Sequence, residues 1–253
     1  MLLGRRITAA HSQPRPGRRR PPDLNRLVGT TVVAVEPRGK HLLIAFDNGL
    51  TLRTHLRMSG SWHRYRVGEP WARPASQVSA VLETAGSVAV CVNAPVVELL
   101  TMVELARSRS LATLGPDLLS ASFDSEEAVR RLRERDAMPI AEALLDQRAV
   151  AGIGNVSKSE LCFLERVNPW TTVGSLGDDT LRRLLARARR LLQANVGGGR
   201  RVTTGAAARG SDLWVYGRGG RPCRRCGTNI EGRRQGEQAR MTYWCPQCQP
   251  GSG

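Results

Sequence analysis

The chain has 253 residues, with 38 lysines and arginines against 22 acids, a net charge of +16 and a pI of about 11.1. No apolar run reaches the roughly 18 residues a membrane-spanning helix needs, and the apolar part of Met1-Leu2-Leu3-Gly4-Arg5-Arg6 is too short for a signal peptide. A soluble protein inside the cell is expected, and its charge suits a polyanion such as nucleic acid; an arginine-inflating genome explains it as well, since only Lys40 and Lys158 are lysines.

Strand patterns come first. Thr31–Val35 is β-branched, and His41–Phe46 runs through Asp47-Asn48-Gly49 into Leu50–Leu56, a hairpin signal. Further strands are predicted at Val78–Leu82, Val88–Val92 and Val96–Val103, and several short strands at close spacing predict a β-sandwich or barrel. Ser12–Pro22, rich in proline and arginine, reads as a solvated loop. Helical patterns follow. Ser125 with Glu126 and Glu127 opens one helix running to Arg135; Pro139 opens Ile140–Gln147; Gly152-Ile153-Gly154-Asn155 is a break before Val156–Arg166. From Asp178 to Asn195, Leu181, Leu184, Leu185, Ala188, Leu191 and Leu192 share a face opposite arginines, a core stripe. Gly197-Gly198-Gly199 closes the helical region.

The last forty or so residues carry Cys223-x2-Cys226 and Cys245-x2-Cys248. Two residues between cysteines turn both sulfurs onto one ion, and Gly227 and Pro246 suit those knuckles. Four thiolates close the coordination, so one structural Zn2+ is expected, holding a segment too small to fold on its own apolar surface. Cys91 and Cys162 lie in apolar contexts and read as core thiols. Ribosomal and transcription proteins use zinc ribbons too, so the ribbon alone names no function.

Three stretches in order carry a specific likeness. They are Arg38-Gly39-Lys40-His41-Leu42-Leu43 with His55–Trp62; Leu114–Leu119 with Pro139–Gln147 and Ala151–Asn155; and Cys223–Thr228 with Arg240–Gln249. Over nearly the whole chain they resemble the endonuclease VIII / formamidopyrimidine-DNA glycosylase family, and Leu213–Arg218 is similar to its actinobacterial endonuclease VIII branch. The resemblance implies an α+β multidomain chain: a β-sandwich over 1–119, a helix–two-turn–helix DNA-binding module over 120–210 and a zinc ribbon over 211–253. It also implies a bacterial, nucleoid-associated cytoplasmic protein that excises oxidised bases, pyrimidines in preference, and cuts the strand at the abasic site. Damaged double-stranded or partly single-stranded DNA is the expected partner; no membrane or protein partner is expected, and a monomer suffices.

Roles follow by likeness. Gly154 and Asn155 would hold a DNA phosphate through backbone N–H groups and the Asn155 amide, where a bland reading is an asparagine turn. Lys158 either adds a phosphate contact or is a solvated lysine. Arg240 matches the arginine at the ribbon tip aimed at phosphates flanking the lesion, against an ordinary surface arginine. Lys40 matches the strand-borne lysine that assists base loss and strand cleavage, since an ammonium can give up a proton and a guanidinium cannot; a structural ion pair is the alternative. Met58 matches the wedge that fills the gap left by a flipped base, or is a core methionine, and Arg57 beside it would touch the backbone. Other wedge residues have no clear match in Arg107-Ser108-Arg109-Ser110, and the four histidines show no catalytic spacing.

The family's nucleophile is the α-amine of a terminal proline, which attacks C1′ to form a Schiff base with help from the next residue, a glutamate. This sequence opens Met1-Leu2-Leu3-Gly4-Arg5, and by likeness Leu3-Gly4-Arg5 ends the family's first helix. The expectation is a true start upstream, with a bifunctional glycosylase and abasic-site lyase. A catalytically impaired damaged-DNA-binding paralogue is the alternative, and an RNA-binding ribbon protein would leave the Lys40 and Asn155 motifs unexplained.

Overall fold

The computed structural model describes residues 2–13, 21–56, 60–196, 201–205 and 212–251, so Arg57 and Met58, much of the Pro/Arg-rich loop and Gly197–Gly199 lie outside it. The chain divides into two compact units, Met1–Ala112 and Thr113–Gly253.

The first unit is a β-sandwich. Its strands are β1 (Ile7–Ser12), β2 (Val32–Arg38), β3 (His41–Phe46), β4 (Leu50–His55), β5 (Ser61–Tyr65), β6 (Val78–Thr84), β7 (Ser87–Val92) and β8 (Val96–Thr101). They form two antiparallel sheets, ordered β1-β6-β7-β5 and β2-β3-β4-β8. Ile7, Leu24, Leu27, Ile44, Phe46, Leu52, Leu82 and Cys91 meet between the sheets. A second cluster, Tyr65, Val78, Val81, Val88 and Val90, is also buried, so Val88–Val92 of β7 reads as an unbroken apolar run. Asp47-Asn48-Gly49 turns β3 into β4, with Gly49 at φ +79° and the Asn48 side chain accepting from Leu50 N.

The strand predicted as Val96–Val103 stops at Thr101, and Met102 and Val103 begin α1 (Met102–Ala106). The reason is a capping box: the Thr101 hydroxyl accepts from Glu104 N while the Glu104 carboxylate accepts from Thr101 N. A short helix α2 (Arg109–Ala112) follows.

The second unit holds α3 (Ser125–Arg133), α4 (Ile140–Ala143), α5 (Asn155–Leu164), α6 (Asp178–Ala194) and a hairpin of β9 (Glu231–Gln235) and β10 (Arg240–Trp244). The cap of α3 is Asp124, whose carboxylate accepts from Glu127 N. Helix α4 ends at Ala143 instead of Gln147, with Pro139 as its cap. Beyond it the Gln147 amide staples the turns, donating to Leu145 O and Ile153 O and accepting from Gly152 N. Leu181, Leu184, Leu185 and Ala188 of α6 are buried against Leu132, Ile140, Leu144 and Leu161. Each buried leucine contributes about 1.5–3 kcal/mol. The exposed pairs, such as Arg182–Glu126, add about 0–1 kcal/mol apiece, so the apolar stripe holds α6 in place.

Candidate nucleic-acid interface and metal centre

Helix α5 begins without a side-chain cap. Gly154 stands at the N-cap with φ −111° and ψ 175°, and a Cβ there would meet nothing within 4 Å. The first N–H groups of any α-helix lack intrahelical acceptors, so the start of α5 presents Asn155, Val156 and Ser157 amides beside an open glycine. The turns leading there are tight. Gly115 packs so closely that a Cβ would lie 2.4 Å from Ala149 O, and Gly152 takes φ +113°. Gly115 and Gly152 thus answer to backbone approach and handedness respectively.

Two side chains of α5 reach the ribbon at one point. Asn155 Nδ2 and Lys158 Nζ donate to the Met241 carbonyl at 3.0 and 3.3 Å, and Lys158 also donates to Thr242 Oγ1 at 2.6 Å. Arg240 is the residue before that carbonyl, at the tip of the β9–β10 hairpin, with Nε donating to Gln238 Oε1. Asn155 and Arg240 are therefore brought together through one backbone unit. Lys158 is not a solvated lysine: it is only 1% exposed, and burial above all pulls its pKa from the ordinary lysine value to about 8. Thr242 passes the network to Gln235, whose amide donates to Pro169 O. Asn155 Oδ1 is buried and has no hydrogen-bond partner among the described residues.

Glu160, one turn beyond, is fully buried. Its carboxylate accepts from three consecutive backbone N–H groups, Trp214, Val215 and Tyr216, and from the Thr203 hydroxyl. That cradle fixes the segment entering the ribbon and sets the Tyr216 hydroxyl 3.5 Å from Asn155 Nδ2.

The four ribbon thiols converge, with all sulfurs within 4.8 Å of one another. Cys223–Cys248 and Cys226–Cys245 sulfur separations are 4.0 and 3.4 Å. A tetrahedron with metal–sulfur bonds of about 2.3 Å has edges of about 3.8 Å, so the donor set fits a structural metal site. The surrounding cluster is small: Phe163, Val215, Ile230 and the cysteines Cys223 and Cys245 are buried, with Trp214 and Tyr243 packed against them. Residues 212–251 contain seven arginines against three acids, whereas α6 arginines such as Arg182 and Arg187 pair with Glu126 and Glu165.

In the first unit Lys40 sits at a hairpin apex. Arg38 and His41 close a two-residue turn whose first central residue, Gly39, has φ +60°, the glycine-first geometry that fits strand twist. His41 is buried, and its ring stacks on His55 at 4.3 Å. Burial first, then the Arg53 charge and His55, lower its pKa to about 3, so it is a neutral acceptor for Arg53 Nε.

Comparison with known proteins accounts for both units. Residues 1–95 match the formamidopyrimidine-DNA glycosylase N-terminal domain and residues 114–205 match the formamidopyrimidine-DNA glycosylase H2TH domain. A probable endonuclease 8 2 of Streptomyces coelicolor is 49% identical over 228 residues, 89% of this chain and 81% of that one.

The chain belongs to the formamidopyrimidine-DNA glycosylase family.

Within this family it is also similar to the DNA-(apurinic or apyrimidinic site) lyase Nei2 of Mycolicibacterium smegmatis, 42% identical over 89% of this chain and 85% of the relative. A Lactococcus lactis FPG structure in complex with FAPY-dG-containing DNA shares the fold, with a TM-score of 0.80 at 24% identity over 99% of this chain and 94% of that one.

Three side chains around Asn155 and the turn before it carried no signal in the sequence. Gln147 and Glu160 were ordinary polar residues in helical patterns, and Tyr216 lay in a segment read only by likeness. The glutamate's spacing, five residues after Asn155 in a helical pattern, gave no signal of a buried carboxylate.

Proposed function

We propose that this chain is a bifunctional DNA glycosylase and abasic-site lyase of base-excision repair that removes oxidised bases, pyrimidines in preference. The observation that carries the reading is the shared Met241 carbonyl, which joins the uncapped start of α5 to Arg240. In this reading the backbone N–H groups of the helix start hold one DNA phosphate, with the Asn155 amide and the Arg240 guanidinium turning to it when DNA is bound, an anion site of helix N-terminus type. The name of the mycobacterial relative, a lyase at abasic sites, supports the same reading.

In this account an amine attacks C1′ of the damaged nucleotide, the base leaves with a proton, and the sugar ring opens at C1′–O4′, with O4′ taking a proton, to give a Schiff base. Loss of a C2′ proton from it then breaks the C3′–O bond and expels the 3′ phosphate. Lys40, at its hairpin apex, carries protons in those steps. Arg57 and Met58 would hold the duplex open. The metal of the cysteine cluster is a structural Zn2+ that fixes the ribbon and takes no part in the reaction. The protein works as a monomer in the cytoplasm of a bacterium, at the nucleoid.

Equilibrium binding at several salt concentrations tests the reading. Tighter binding to a duplex with an abasic-site analogue than to intact duplex or RNA is expected, with the preference lost in an Asn155→Asp variant. Equal affinity for RNA and both duplexes overturns it in favour of a general nucleic-acid-binding ribbon protein.

A further inference from the structure

The outer face of the β2-β3-β4-β8 sheet carries a buried arginine that the reaction as described does not use. Arg53 is 7% exposed, and every guanidinium nitrogen is engaged. Nε donates to His41 Nδ1 at 3.2 Å, Nη1 to Ser108 Oγ and Nη2 to Ser110 Oγ, both at 2.7 Å, and Glu98 lies 3.3 Å from Nη1. These partners come from three separate elements. His41 begins β3, Glu98 stands opposite Arg53 on β8, and Ser108 lies between α1 and α2 with Ser110 inside α2.

The register explains why one side chain reaches them all. His41 pairs with His55, Leu43 with Arg53 and Arg53 with Glu98, so His41, Arg53, His55 and Glu98 share a face. His41 is the residue that closes the tight turn holding Lys40. A guanidinium's planar fork can serve two hydroxyls and a ring nitrogen at once, which an ammonium on a flexible stem cannot do with the same geometry.

We propose that Arg53 is a positioning residue for Lys40: it locks the His41 end of the Gly39-Lys40 hairpin and the Ser108/Ser110 segment into one arrangement. The inference rests on the lyase reading of Lys40. It gives the serines of Arg107-Ser108-Arg109-Ser110, where the family's other wedge residues have no clear match, a task of their own. The groups facing His41 are Arg53 and His55 from β4, with Glu98 of β8 beside Arg53, and a variant at 53 changes that set at its centre.

The test is single-turnover cleavage of an abasic-site duplex by the full-length protein, comparing wild type with Arg53→Met, Arg53→Lys and the Ser108→Ala/Ser110→Ala double variant. DNA affinity and the His41 ring titration by NMR are measured on each. Arg53→Met is expected to slow cleavage about tenfold or more with affinity held within about twofold, and to let His41 take up a proton at higher pH. The double serine variant falls between Arg53→Met and wild type, and Arg53→Lys does not restore the wild-type rate. An active wild type with an unchanged Arg53→Met rate overturns the proposal alone, as does a rate loss matched by lost affinity or restored by lysine. If neither the 253-residue chain nor its upstream-extended form cleaves, the lyase reading fails and this inference with it. If Arg53→Met fails to fold, the serine double variant, which keeps the buried charge and its Glu98 partner, decides by the same criteria.

Discussion

Asn155 and Lys158, one helical turn apart on α5, donate to the same oxygen, the Met241 carbonyl, at 3.0 and 3.3 Å. The lysine is buried and the asparagine half-buried, so the pair divides the work: Lys158 seats the ribbon and Asn155 borders the open helix start. Truncating Lys158 to alanine removes a large buried side chain and two hydrogen bonds. A loss of about 2–5 kcal/mol is expected by analogy with other long side chains cut to alanine in cores, read from denaturant unfolding; Lys158→Met, which fills the space without the charge, should lose less.

The same lysine gives stability a pH dependence on the alkaline side. Its folded pKa of about 8 lies below the ordinary value of 10.5, so between those values the unfolded chain holds more protons. Lys158's contribution to stability therefore rises from pH 8 to pH 10.5 and is lower below pH 8. Comparing wild type with Lys158→Met by chemical unfolding at pH 7.5 and 9.5 should show the gap shifting toward wild type at the higher pH.

His41 acts on the acid side in the same sense. With a folded pKa of about 3 against 6.5, its neutral form is favoured by the fold, and its contribution is complete above pH 6.5 and falls away as the pH drops toward 3. Asparagine at this position keeps an acceptor for Arg53 without a titrating ring. His41→Asn should lose less stability than wild type between pH 7 and pH 4, measured as the change in unfolding midpoint.

Gly236 in the ribbon hairpin has φ +70°, and a Cβ would lie 2.7 Å from the Glu142 carboxylate. Gly236→Ala should cost about 1–3 kcal/mol for the backbone conformation, plus the displacement of Glu142. Adding Glu142→Ala should recover the second part only, so unfolding of the double variant separates strain from crowding.

Much of this was legible in the residues. The four cysteines announced a metal knuckle because ligand spacing is local, and the α6 leucine stripe announced a core face because helical period is local. The β8 boundary was misread although Thr101-x-x-Glu104 spells a capping box, because an apolar run outweighed it. Lys158 could not be placed from sequence. Its burial depends on Met241 and Thr242, more than eighty residues away, and no periodicity reports on such a partner. Arg53, a charge inside a strand, hides for the same reason: its counterparts Ser108 and Ser110 are distant in the chain.

Metal removal should act on the ribbon before the sandwich. The cluster around the cysteines is too small to stand without its ion, so chelation or Cys245→Ser should abolish DNA binding while the far-ultraviolet signal of the strands of the first unit persists. Arg240→Ala, which keeps the metal, should instead weaken binding to all duplexes and reduce the salt slope by about 1.

The central claim is that this chain cuts DNA through an amine at C1′, and borohydride trapping on an abasic-site oligonucleotide tests it most directly. The trial uses the 253-residue chain and the same chain extended upstream in its gene. The account predicts a covalent protein–DNA adduct that survives denaturation, diminished by Asn155→Asp. Absence of any adduct from both forms, with abasic-duplex binding intact, would contradict it and leave a protein that binds damage without cutting.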